Sequence, residues 1–224
     1  MTGPAPVKQR VWDLPTRLFH WSIVLLVALA WWTGETEEYD FHLWVGYAAL
    51  FALTFRILWG LFGSSTARFS AFVRGPAAVI RYLRDRFSWP SAGHSPLGAL
   101  SVVALLALLI FQVVSGLFAA DEDGLVNGPL ASFVSIDLSD AITELHEEAF
   151  NILLALIALH VAAILFYRLV LRKKLLGPMI TGRAALDPGV APMRAAPAWR
   201  ALACAAAALA FTLWIVAGAP PFRP

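Results

Sequence analysis

The chain has 224 residues, of which 59% are hydrophobic and only 14% are charged, and its mean hydropathy is +0.70. Soluble domains are about 25% charged, so this composition excludes a water-facing exterior and indicates that lipid surrounds most of the protein. A single cysteine excludes a disulfide framework or a thiolate-bound metal cluster within the chain. The formal net charge of +2 is small, and the distribution of charge carries more information.

Five apolar stretches predict membrane-spanning helices, since a span needs about 20 mostly apolar residues. In chain order they are residues 18–32 (long enough if the helix starts near residue 15), 42–62, 96–120, 144–171 and 198–219. Between the second and third spans, a short amphipathic helix is predicted at residues 76–86, with arginines on one side, and such a helix suits the membrane surface. The pattern therefore predicts an all-α fold, a transmembrane four-helix bundle with a fifth, C-terminal transmembrane helix.

Charged residues divide between the two sides of these predicted spans. Basic residues are concentrated before the first span, between the second and third, and after the fourth: Lys8, Arg10, Arg17, Arg68, Arg74, Arg81, Arg84, Arg86, Arg168, Arg172, Lys173, Lys174, Arg183 and Arg194. The other two connecting segments and the start of the fourth span hold twelve acidic residues: Glu35, Glu37, Glu38, Asp40, Asp121, Glu122, Asp123, Asp137, Asp140, Glu144, Glu147 and Glu148. By the positive-inside rule, the N-terminus is predicted to be cytoplasmic.

Four of the five histidines lie in or at the ends of predicted spans, namely His20, His42, His146 and His160. An ionisable group at membrane depth is costly and usually functional, although any single one is also explained as a hydrogen-bonded side chain at the interface. His146 and His160 are 14 residues apart, which places them on one helix face about 21 Å apart. Two haems can use them, each with a second ligand from another helix. The order of the spans pairs His42 with His146 in an outer site and His20 with His160 in an inner site.

Haem suits these histidines better than a chelated metal ion does. Zinc prefers clustered ligands, and no two of the histidines have a chelating spacing such as i and i+4. Haem iron takes one axial ligand from each face of the ring, so histidines on separate helices are appropriate. Iron with two histidine ligands has no open position and is typical of electron transfer.

Two further residues share the face of His42 on the second span. Gly46 lies one turn later, where a glycine would let a flat macrocycle approach the backbone, and close helix packing is an equally good explanation. Arg56 lies 14 residues after His42, at the level of the inner haem. A buried arginine there would bind a propionate, whereas the alternative is a snorkelling side chain near the helix end. His94 precedes the third span, and we expect it to have a surface role or to contact a propionate or quinone headgroup.

Several of these motifs together resemble a known family. They are VWDLPTRLFHW at residues 11–21, His42-x-x-x-Gly46 with Arg56 downstream, Gly93-His94, and Glu144-Leu145-His146 with His160. The set is similar to the prokaryotic cytochrome b561 family, which includes the b-type cytochrome subunits of nickel–iron hydrogenases. The resemblance covers residues 8–183 and implies a di-haem transmembrane domain there, with two haems b, the ligands His20, His42, His146 and His160, and electron exchange with the quinone pool. Residues 184–224, a linker and the fifth transmembrane helix, lie outside it.

These features predict a membrane-bound di-haem b-type cytochrome of the bacterial cytoplasmic (inner) membrane, which transfers electrons between the quinone pool and a redox partner. The acidic outer side favours a basic periplasmic protein such as a c-type cytochrome as that partner, although the positive-inside rule alone also accounts for the charge. The family resemblance implies a hydrogenase-like protein as another partner.

No nucleotide fingerprint, flavin site or catalytic triad is found in the sequence, so we expect neither a nucleic-acid partner nor catalytic residues for group transfer. We expect the chain to be an electron carrier or a subunit of a quinone-linked oxidoreductase, and its oligomeric state stays open. The alternative function is that of a haem-free small membrane transporter or the anchor subunit of a larger complex. A transporter should show broken helices or internal pseudo-symmetry, and the sequence has neither.

Overall fold

The computed structural model describes residues 7–89, 91–120 and 126–222. In chain order the helices are α1 (Leu14–Glu35), α2 (Tyr39–Phe62), α3 (Phe69–Phe72), α4 (Pro76–Arg84), α5 (Pro96–Gly116), α6 (Ile136–Leu169), α7 (Leu176–Thr181) and α8 (Ala198–Val216). The five long helices, α1, α2, α5, α6 and α8, are long and apolar enough to cross a membrane. The predicted all-α transmembrane fold is therefore confirmed.

Two helices have ends that differ from the predicted spans: α6 begins earlier than predicted and α5 ends earlier than predicted. Helix α6 begins at Ile136, eight residues before the predicted start, because its first two turns are polar and escape a search for apolar runs. Asp137 in the first turn suits the positive end of the helix dipole. Helix α5 ends at Gly116, four residues before its predicted end, where the backbone tightens into i→i+3 hydrogen bonds. The acidic residues 121–123 lie outside the described residues.

The predicted amphipathic helix is α4, which begins at Pro76 as predicted and ends at Arg84, two residues before the predicted end. Gly75 is its N-cap and a proline follows at the first position, where a missing N–H costs nothing. Arg81 and Arg84 occupy its last turn and complement the negative end of the helix dipole. The hydroxyl groups of Tyr82 and of Tyr167 on α6 are 2.8 Å apart, so α4 is fastened to the protein as well as suited to a membrane surface.

A two-stranded antiparallel sheet, which was not predicted, joins the segment before α1 to the segment after α7. Strand β1 (Val7–Arg10) pairs with β2 (Arg183–Leu186) in a register that places Arg10 opposite Arg183. Each strand has only four residues, and such short segments give little periodic signal.

The chain divides into two compact units, and each of the five long helices contributes residues to both. The first unit comprises Met1–Leu18, Ile57–Ala104 and Ala158–Leu202, and the second comprises Phe19–Arg56, Leu105–Ile157 and Ala203–Pro224.

In the first unit, Asp13 holds the start of α1. Its Oδ1 accepts a hydrogen bond of 2.8 Å from the backbone N–H of Thr16, which is the geometry of a helix N-cap. Its Oδ2 accepts a bond of 3.0 Å from the indole Nε1 of Trp59, a side chain that is only 2% exposed. One carboxylate therefore fixes both the helix end and a buried aromatic ring of α2.

In the second unit, the C-terminal part of α8 is packed rather than isolated. Ile215 and Ala219 form a buried cluster with Leu50 of α2 and with Leu117 and Leu130. The fifth helix thus shares an apolar core with residues of the predicted four-helix domain.

Candidate functional site

His42 and His146 face each other in the second unit. His42 lies in the first turn of α2, and His146 lies in α6. Their ring centroids are 6.2 Å apart and the ring planes are inclined by 80°. Two of the predicted site residues therefore lie next to each other.

The imidazole of His42 is fixed from α1. Its Nδ1 is 3.0 Å from the carbonyl oxygen of Ala30 and 3.1 Å from the hydroxyl of Thr33. A carbonyl oxygen can only accept, so Nδ1 carries the proton and donates it. The Thr33 hydroxyl in turn donates to the Leu29 carbonyl at 2.8 Å. The Nε2 of His42 therefore keeps its lone pair, which is the form that binds a metal.

The imidazole of His146 is fixed from α5 in the same way. Its Nδ1 is 3.0 Å from the hydroxyl of Ser115, which donates to the Phe111 carbonyl at 2.9 Å and therefore accepts from the histidine. Gly116 lets the ring approach, because a Cβ there would lie 3.0 Å from Cε1 of His146. Gln112 donates from Nε2 to the His146 carbonyl at 2.9 Å. Ring and backbone of His146 are thus both positioned by α5.

In the first unit, His160 of α6 repeats this arrangement with a second serine of α5. The hydroxyl of Ser101 is 3.0 Å from Nδ1 of His160. Ser101 and Ser115 are 14 residues apart, and so are His146 and His160. Apart from these serines, the only polar side chain of α5 is that of Gln112. Every polar side chain of this apolar helix therefore contacts a histidine of α6.

The comparison with protein families shows to which family this chain belongs. The family model described as prokaryotic cytochrome b561 matches residues 11–182, more than half of the chain. The chain belongs to the prokaryotic cytochrome b561 family. No curated protein and no solved structure matches it.

Membership of the cytochrome b561 family implies b-type haem and electron transfer in a multi-pass bacterial membrane protein. The match ends at Gly182, so strand β2, the linker and α8 lie beyond it. All four predicted ligand histidines lie within it.

The geometry of His42 and His146 fits a cytochrome b561 haem. An imidazole nitrogen binds a first-row metal ion at about 2.0–2.1 Å and the ring centre lies about 1.1 Å behind it, so two imidazoles that bound one iron from opposite sides would have centroids about 6.3 Å apart. The observed 6.2 Å agrees with this separation. Among the described residues, no group of three or more His, Cys, Asp or Glu side chains could hold a metal ion. The separation of the two rings therefore fits one haem iron between them.

The environments of Gly46 and Arg56 on α2 bear on the alternatives given above for each residue. For Gly46 these are room for a macrocycle or close helix packing, and for Arg56 they are propionate binding or snorkelling. A Cβ at Gly46 would meet nothing within 4 Å, so no neighbouring helix of the described chain packs closely on this glycine, and the space beside it is open. Arg56 is only 3% exposed, which is unlike a snorkelling side chain. Its guanidinium carbon lies 5.9 Å from the ring centroid of Phe19, a cation–π distance.

His20 and His94 have aromatic neighbours. The ring of His20 is 4.9 Å from that of Trp21 in the second unit. Since His20 and His160 belong to different units, their pairing stays a prediction. His94 of the first unit is half-buried between Trp12 at 4.5 Å and Phe72 at 4.6 Å, so it is more enclosed than a surface role requires.

The sequence prediction missed the residues that hold the histidines: Ala30, Thr33, Ser101, Gln112, Ser115 and Gly116. Ser101, Gln112 and Ser115 carried a usable signal, since a polar side chain in an otherwise apolar span calls for a buried partner. Ala30 acts through its backbone carbonyl, and every residue type has a backbone carbonyl, so the sequence gives no signal for this contact.

Proposed function

We propose that this cytochrome b561 family protein holds two haems b and carries electrons across the bacterial cytoplasmic membrane, between the quinone pool and a redox partner. The observation that carries the proposal is the 6.2 Å opposition of the His42 and His146 rings. Each ring is held by a hydrogen bond at Nδ1, so that Nε2 of each is left to bind iron. Bound haem would supply a reversible one-electron change at its iron.

The ligands we propose are His42 with His146 for the outer haem and His20 with His160 for the inner haem. The second pair rests on the family resemblance and on the order of the spans. The matched spacing of 14 residues in Ser101/Ser115 and His146/His160 supports a repeated site. The two α6 ligands would lie about 21 Å apart along the helix axis.

The residues around the ligands would tune and orient the haems. A hydrogen bond from Nδ1–H fixes the ring orientation and makes Nε2 a stronger donor to the metal. Gly46 would leave room for the macrocycle, and the buried guanidinium of Arg56 would bind a propionate of the inner haem. His94 would contact a propionate or a quinone headgroup.

The orientation we propose has the N-terminus in the cytoplasm. The acidic outer side would then meet a basic periplasmic protein such as a c-type cytochrome, or a hydrogenase-like subunit, through electrostatic steering. Exchange rates should fall steeply with added salt if steering operates, and a salt-independent rate would remove this part of the proposal.

The haem content and its loss in histidine variants test the proposal. Protein purified from cells given adequate haem should hold two haems per chain and show a b-type α-band in its reduced-minus-oxidised spectrum. His146→Ala should remove one haem and leave the other largely bound, and His160→Ala should remove the other one. Ser139→Ala, which removes a hydroxyl of α6 that donates to the Phe118 carbonyl, is the control and should keep both haems.

Two results would contradict the proposal. Absence of the α-band from the parent protein would favour the haem-free transporter or anchor. Loss of the same haem in the His146 and His160 variants would show that the two-site assignment of ligands is wrong.

A further inference from the structure

A cavity rich in arginine lies in the first unit, where residues of the family domain meet the segment that leads into α8. Its volume is about 290 Å³, close to the lower end of the range of about 300–1,000 Å³ that is typical of ligand pockets. It is lined by Ser65, Arg68, Arg194, Ala195, Ala196, Pro197 and Arg200. A neighbouring cavity of about 430 Å³ shares Ser65 and Arg194 with it.

The lining of this arginine pocket is cationic. It contains three guanidinium groups, and none of the described residues that line either cavity is acidic. Arg68 donates from Nε to the Gly63 carbonyl at 2.8 Å. Arg200 donates from Nη1 to the Phe62 carbonyl at 3.4 Å. The end of α2 thus holds two of the arginines beside the pocket.

The start of α8 adds to the positive potential. Pro197 lines the pocket and α8 begins at Ala198, so the positive dipole end of a 19-residue helix lies beside the three arginines. Guanidinium groups and a helix N-terminus together are the usual donors to a phosphate group.

The apolar surface next to the pocket indicates what carries the phosphate. Trp199 is 64% exposed and Leu202 is 72% exposed, and both belong to a helix that is apolar enough to cross a membrane. In a membrane protein such side chains contact acyl chains, and an aromatic ring such as that of Trp199 is typical of the headgroup level. Basic pockets at this level bind anionic lipid headgroups.

We propose that the arginine pocket binds the phosphate group of an anionic phospholipid, whose chains lie along the exposed apolar face of α8. The bound lipid would link the family domain, through Arg68, to the C-terminal extension, through Arg194 and Arg200. This role does not depend on haem. Each basic side chain near an anionic lipid contributes roughly five-fold in affinity, so three arginines account for on the order of 100-fold.

Native mass spectrometry of the full chain in a non-ionic detergent tests the proposal. Phosphatidylglycerol should bind at least about ten-fold more tightly than phosphatidylcholine. Replacing Arg68, Arg194 and Arg200 together by Gln should lower the affinity for phosphatidylglycerol by on the order of 100-fold, since each arginine contributes roughly five-fold to that affinity. The single variant Arg194→Gln should weaken it about five-fold. This single variant keeps the hydrogen bond from the backbone N–H of Arg194 to the Ser65 hydroxyl. We therefore expect it to fold, and it tests the proposal if the triple variant does not fold.

The control variant replaces Arg81, Arg84 and Arg86 by Gln. These three arginines are exposed and the loss of charge is the same, so the affinity should stay within about two-fold. An equal loss of phosphatidylglycerol affinity in the control variant would mean that the lipid is attracted by the overall positive charge, and it would overturn the proposal. Equal binding of phosphatidylcholine and phosphatidylglycerol would overturn it too. Displacement of phosphatidylglycerol by an equimolar amount of inorganic phosphate would overturn the lipid assignment, because it would make the pocket a site for free phosphate.

Discussion

Hydroxyl groups hold the ring nitrogens of three histidines inside this apolar protein. Thr33 contacts His42, Ser115 contacts His146 and Ser101 contacts His160, each at 3.0 or 3.1 Å. A buried imidazole N–H without an acceptor costs free energy, so the acceptors of His42 and His146 stabilise these two histidines in the tautomer with the proton on Nδ1. The result is a donor nitrogen that is ready for a metal before any cofactor is bound.

Removing the Ser115 hydroxyl should weaken the binding of one haem more than that of the other. Ser115→Ala leaves the Nδ1–H of His146 without its acceptor, and the loss of such an outer-shell partner typically costs about 10–100-fold in metal affinity. Haem at the outer site should therefore transfer faster to an excess of haem-scavenging globin, and Ser101→Ala should do the same for the inner site. Ser139→Ala is the control, because Ser139 donates to the Phe118 carbonyl. Equal transfer rates in the two variants and the parent protein would contradict a positioning role.

At the level of whole elements, the apolar runs predicted which helices exist but not where they end. Hydropathy detects only the part of a helix that lipid or core covers, so the polar first turns of α6 were missed. The 14-residue spacing predicted the shared face of His146 and His160, since helix geometry is regular. The partners on α5 depend on how two helices pack, and the sequence of either helix alone does not determine that packing.

The start of α1 depends on one carboxylate with two acceptor roles. Asp13→Ala removes the N-cap, which is worth about 0.5–2 kcal/mol, and leaves the buried Trp59 indole N–H unpaired, at a cost of about 1–3 kcal/mol. The variant should lose roughly 1.5–5 kcal/mol of stability, seen as a lower Tm in detergent. Asp13→Asn keeps one good acceptor and should lose less than Asp13→Ala. Equal stability of the alanine variant and the parent would show that neither bond matters.

At the scale of the whole molecule, charge was the most informative part of the sequence. Basic and acidic residues separate into alternate connecting segments, and this separation requires four spanning helices. The structure has four helices apolar enough to span at those positions, and a fifth at Ala198–Val216 that the apolar run alone predicted. The short sheet of β1 and β2 could not be predicted, because it joins segments more than 170 residues apart with no periodic pattern of their own. The same holds for the arginine pocket, which needs residues near 65 and near 200.

The position of the C-terminus tests both the orientation and the number of spans. If the N-terminus is cytoplasmic, four spans return the chain to the cytoplasm after α6, and α8 then carries the C-terminus to the periplasm. Alkaline phosphatase fused after Phe222 should therefore be active, and green fluorescent protein fused there should be dark. Fusions after Gly189, in the linker between β2 and α8, should give the opposite result. A phosphatase fusion after Gly128, between α5 and α6, is the control and should be active. A fluorescent fusion after Phe222 would mean that α8 does not cross the membrane, while an active phosphatase after Gly189 would reverse the orientation.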